Sequence, residues 1–68
     1  MHDDTFNMSI RKFLKMVGVS SQHEIEQAVA QAITSGHLKG NEKLPVKMVL
    51  TIGLVNLNIN YDGMIELE

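Results

Sequence analysis

The sequence predicts a small α+β domain: a two-helix hairpin packed on an antiparallel β-hairpin, in the order α-α-β-β. Three observations carry that expectation. Apolar residues recur at helical spacing through residues 5–35. Beyond Pro45 the apolar period switches to two, the mark of strands with one covered face. Gly18, Gly36 and Gly40 fall between the periodic stretches, where chain reversals belong.

Residues 5–17 read as the first helix. Phe6, Ile10, Phe13, Leu14 and Val17 lie on one face at spacings of three and four. Asp4 or Thr5 is placed to cap its start, and Gly18 stands where a left-handed stop belongs. Residues 22–35 read as the second helix. Ser21 with Glu24 three positions on makes a capping-box pattern. Ile25, Ala28, Val29, Ala32 and Ile33 form its apolar stripe, and Gly36 is its expected end. The short link from Gly18 to Ser21 makes the pair an αα-hairpin.

A polar connector from His37 leads to Pro45, which has no N–H and so belongs at a strand start or a sheet edge. Face matching then fixes the hairpin register, because a one-residue slip inverts every side chain. A four-residue loop over 53–56 pairs Ile52 with Leu57, Leu50 with Ile59, Met48 with Tyr61 and Leu44 with Ile65. Two continuations satisfy the face rule after Tyr61. Either the last strand runs on through Gly63 with a bulge there, or a turn at Tyr61-Asp62-Gly63 makes a short third strand. The continuous strand is favoured.

Residues 1–68 leave room for one domain only, with 1–4 expected to fray. A chain this short buries roughly 60% of the surface its unfolded form exposes. Ordering it costs on the order of 100 kcal/mol. Small domains offset that with disulfides, metals or a partner subunit. Cysteine is absent, which excludes disulfides, thiolate metal sites and a cysteine nucleophile. A homodimer is therefore expected, built by edge-to-edge pairing of strand 57–67. Ile59, Tyr61 and Ile65 lie on that strand, and the off-face Val49 and Val55 are candidates to join the contact. Met1-His2-Asp3-Asp4 has neither the basic nor the apolar region of a secretory signal, and no apolar run approaches 18 residues. A cytoplasmic protein without a membrane span is expected.

No constellation carries chemistry. His2, His23 and His37 lack the spacing of a helical metal site. Glu24 and Glu26 are two apart on a helix and do not share a face. The serines lack a nucleophile elbow, and the glycines form no phosphate loop. No catalytic residue, metal ligand or cofactor is expected, and the second alternative is a ligand or enzymatic site at a dimer seam. The informative charges are basic: residues 5–23 carry +3 and residues 24–38 carry −2. Arg11, Lys12 and Lys15, with Met8 among them, oppose the apolar stripe and suit an acidic protein partner.

Leu14 to Ser21, followed by the hairpin, invites a winged helix-turn-helix reading, the first alternative. The match degrades at Leu14 and Glu24, which stand where that motif wants a small and an apolar residue. The would-be recognition helix has no Lys or Arg between Ser21 and Ser35 to neutralise phosphate. A non-enzymatic interaction or scaffold role is preferred to nucleic-acid binding.

The run from Asp4 to Lys15 (Asp4-Thr5-Phe6-Asn7-Met8-Ser9-Ile10-Arg11-Lys12-Phe13-Leu14-Lys15) resembles a small family of uncharacterised proteobacterial proteins of about 70 residues. Val17-Gly18-Val19, Ser21-Gln22, Glu24-Ile25-Glu26 and the run from Leu38 to Met48 are similar to it as well. The resemblance implies a compact α+β homodimer and supplies no functional residues.

Overall fold

A computed structural model describes residues 1–68. The chain divides into two compact units, Met1–His37 and Leu38–Glu68.

The first unit is one α-helix, α1, Asp3–Thr34. This corrects the expected two-helix hairpin: residues 18–21 hold no turn, and the order is α-β-β. Gly18 costs a helix about 1 kcal/mol relative to alanine, too little to end it without a left-handed backbone or a proline. Positive φ occurs at Gly36 and Gly40, not at Gly18, and no proline falls between Asp3 and Thr34. Ser21 and Glu24 therefore lie mid-helix, and their capping-box pattern is unused. The helix starts earlier than expected, with His2 at the N-cap position and no side-chain cap bond. The Phe6 N–H donates to the His2 carbonyl at 2.9 Å, while Asp3 and Asp4 place negative charge on the first turn.

The two apolar stripes read from the sequence are one stripe. Phe6, Val17 and Ala28 lie 11 residues apart, as do Ile10, Ser21 and Ala32, and Leu14 with Ile25. Eleven residues span three turns at 3.67 residues per turn, slightly more than the relaxed helix. The stripe drifts slowly round an ideal helix, and the drift resembles a break when each half is read alone.

The end of α1 follows the expectation for Gly36. Its φ is +85°, its N–H donates to the Ile33 carbonyl at 3.1 Å, and the His37 N–H donates to the Ala32 carbonyl at 2.9 Å. These two bonds make a Schellman motif. The Ser35 hydroxyl donates to the Ala32 carbonyl at 3.2 Å and lies 2.7 Å from His37 Nδ1.

The second unit is a two-stranded antiparallel sheet, β1 (Lys43–Ile52) and β2 (Leu57–Glu66). A 3₁₀ turn, Gly53–Val55, joins them, and Asn56 closes it at φ +55°. The register is the one face matching demanded: Ile52↔Leu57, Leu50↔Ile59, Met48↔Tyr61 and Leu44↔Ile65. Pairing continues without offset through Val46↔Gly63 to Lys43↔Glu66, so β2 is one strand with neither a bulge nor a third strand. Leu44, Val46, Met48, Leu50 and Ile52 share a face with Leu57, Ile59, Tyr61, Gly63 and Ile65. The opposite face carries Lys43, Lys47, Thr51, Asn58, Asn60, Asp62 and Glu66.

No residue of either unit is buried. No helix is long and apolar enough to cross a membrane.

Candidate functional site

On α1, Met8, Arg11, Lys12 and Lys15 follow i, i+3, i+4, i+7 spacing and share a helix face. All four are exposed, Met8 at 70%. The apolar stripe occupies the other side, yet Phe6, Ile10, Phe13 and Leu14 remain 40–54% exposed along it. Its partly covered positions are Val17, Ser21, Ile25, Val29 and Ala32. The cations of α1 precede Gly18 and its two glutamates follow it. None of these five forms an ion pair; Glu26 accepts a 3.4 Å hydrogen bond from Gln22.

The five residues expected at a dimer contact do not form one surface. Ile59, Tyr61 and Ile65 lie on the apolar face of the hairpin, with Tyr61 56% exposed. Val49 lies on the opposite face, across from Asn60, and Val55 sits in the 3₁₀ turn. Sequence reasoning passes over Val46, Met48 and Gly63. With Tyr61 and Asp62 they line an open hollow, and the register already places Val46, Met48, Tyr61 and Gly63 on the apolar face.

The strongest local electrostatic feature is a clasp at the start of the hairpin unit. The Glu42 carboxylate accepts the Lys39 N–H at 2.8 Å and the Gly40 N–H at 3.0 Å, holding a turn in which Gly40 has φ +105°. The Glu42 carbonyl accepts the Leu67 N–H at 3.3 Å. The Lys39 and then the Gly40 backbone bonds favour the ionised form and hold the Glu42 carboxyl below its ordinary value of 4.5. A depressed acid adds stability above its unfolded pKa and loses it as pH falls through the folded one. Glu42→Gln is therefore expected to be less stable than the parent at pH 7, with the gap closing below pH ~4. Denaturant titrations of both chains across that range measure it. A gap that stays constant with pH would assign the clasp no electrostatic part. Lys43 and Glu66, 4.0 Å apart and well exposed, add little.

No group of three or more His, Asp or Glu side chains is arranged to hold a metal ion. The chain exposes one long apolar stripe, one basic helix face and one apolar sheet face. No curated protein and no solved structure matches the chain. A family model does match, over residues 1–68: the chain belongs to DUF6494, a family of unknown function.

Proposed function

We propose that this chain is a non-enzymatic interaction module that works as a homodimer in the cytoplasm, its Met8, Arg11, Lys12 and Lys15 face turned to an acidic surface. The observation that carries the reading is the absence of any buried residue in either unit. Apolar burial is the main term that offsets the entropy of ordering a chain. Here the apolar side chains are present and uncovered, among them Phe6, Phe13, Leu14, Met48 and Tyr61 at 44–56% exposure.

A second copy is always present at the same concentration, and a two-fold dimer is the commonest closed solution.

Sedimentation over a concentration series tests this reading. The expected species has twice the 7.6 kDa of the chain, and its helicity falls as dilution drives dissociation. A 7.6 kDa species that keeps full helicity at every concentration would defeat the proposal.

A further inference from the structure

We propose that a second copy docks at the free edge of β2, so that two hairpins join antiparallel about a two-fold axis at Tyr61 into one four-stranded sheet. This rests on the self-association proposed above and names one of its seams, carried by the hairpin unit alone.

The ladder decides which backbone groups are free. The Leu67 N–H donates to the Glu42 carbonyl at 3.3 Å, so Glu42 and Leu67 are a hydrogen-bonded pair. Such pairs alternate along an antiparallel ladder, which makes Leu44↔Ile65, Val46↔Gly63, Met48↔Tyr61 and Leu50↔Ile59 the next ones. The residues between them turn their N–H and C=O outward. On the β1 edge these are Lys43, Pro45, Lys47, Val49 and Thr51; on the β2 edge they are Asn58, Asn60, Asp62, Met64 and Glu66.

The two edges differ. Proline and edge lysines block strand addition, and β1 carries Pro45 between Lys43 and Lys47. Pro45 offers no N–H, and a two-fold β1 pair would lose that bond twice. The β2 edge offers every N–H, and residues 58–64 are exposed along it. A head-to-tail join of β2 to the β1 of another copy meets Pro45 again and does not close.

A two-fold axis normal to the sheet runs the two β2 strands antiparallel and keeps both apolar faces on one side. Bonds across the seam join outward-turned, even-numbered residues, so the axis falls on a residue and not between two. Tyr61 and Asp62 stand at the middle of β2 and give the longest overlap. An axis at Asp62 sets Asp62 against its own copy, and like charges directly opposite are destabilising. An axis at Tyr61 pairs Asn60 with Asp62 and Asn58 with Met64, opposes no like charges, and makes about eight bonds. On the apolar face it sets Tyr61 against Tyr61, Leu57 against Ile65 and Ile59 against Gly63. The Tyr61 pair falls at a non-hydrogen-bonded position, where side chains approach most closely and aromatic pairs are stabilising. A Cβ on Gly63 would meet only the Val46 side chain, at 3.4 Å, so its other flank is open to the Ile59 of the second copy.

Two measurements on the full chain test the seam. Val49 and Asn60 stand opposite each other, and both turn their N–H outward. Proline at either costs the hairpin alike, since neither N–H serves the ladder. Asn60→Pro is expected to raise the dimer Kd about tenfold or more, its bond being lost twice by symmetry. Val49→Pro is expected to leave Kd within about threefold. The absence of cysteine lets a single introduced thiol report as well. Tyr61→Cys brings two Cα atoms to about 4.5 Å across the axis, within disulfide reach, and is expected to form a covalent dimer in a glutathione buffer. For Asp62→Cys the separation is about 8 Å and for Met48→Cys about 14 Å, both beyond reach. Equal Kd changes in two folded proline variants, or a disulfide at position 62 or 48 in place of 61, would overturn this seam while leaving a dimer intact. If both prolines melt the hairpin, the thiols decide alone. A chain monomeric at every concentration would overturn the self-association itself.

Discussion

Ile10→Asp is expected to abolish the dimer and the cooperative unfolding transition, while Met8→Asp leaves both near the parent. In the single chain neither site is buried, at 40% and 70% exposure. Surface changes of that kind usually fall within about 0.5 kcal/mol, so the chain alone predicts two mild variants. The stripe predicts otherwise. Ile10 belongs to the 11-residue series with Ser21 and Ala32, whereas Met8 belongs to the basic face behind it. Covering Ile10 in a seam is worth about 1.5–3 kcal/mol, and a carboxylate placed there adds a desolvation cost. Two-fold symmetry applies the loss twice. Against a total stability of about 5–15 kcal/mol, that unfolds a small assembly. Far-ultraviolet circular dichroism during heating, with sedimentation at the same concentration, reads both outcomes. Equal behaviour of the two variants would show that the stripe is not a seam.

The hairpin is legible in the sequence because strand pairing is a digital problem. Period two leaves each residue two choices of face, and Leu44, Leu50, Ile59 and Ile65 share one only in registers of the observed parity. The position of Pro45 and the four-residue loop agree with it, so local and long-range signals are consistent. The helix is harder to read because its signal is continuous. At 3.6 residues per turn the residues of 25–33 sit well round from those of 6–17, and Gly18 lies conveniently at the junction. An 11-residue period joins Phe6, Val17 and Ala28 into one line, and it is present in the amino-acid order itself. The Ser21/Glu24 pattern misleads in the same direction, since a capping box is a start signal only when the preceding residues leave the helix. The basic face is robust because residues 8, 11, 12 and 15 share a face with either one helix or two. The expected strand contact rests on the unpaired edge of strand 57–67, with Val49 and Val55 as off-face additions; the pairing places Ile59 on the apolar face, Val49 on the opposite face and Val55 in the turn.

Gln22→Pro separates one helix from two by the sign of its effect. In a two-helix hairpin capped by Ser21, residue 22 is the first helical position, where proline is welcome because its missing N–H has no partner to lose. In the continuous α1 the same residue lies mid-helix, and its N–H belongs to the ladder running back to the Gly18 carbonyl. Proline there removes that bond and clashes with the carbonyl, at a cost of about 3 kcal/mol or more. For a domain of this size that corresponds to a fall of roughly 15 °C in Tm, with a loss of helical signal at 222 nm. The damage should exceed the local cost, because a kink at residue 22 throws Ile25, Ala28, Val29 and Ala32 out of line with Phe6, Ile10 and Leu14. Neither half of the stripe can then be covered by the same straight partner. Asp3→Pro is the control: it occupies the true first position of α1 and is expected to leave Tm within a few degrees of the parent. A Gln22→Pro chain as helical and as stable as Asp3→Pro would restore the break between residues 18 and 21, and with it the two short helices.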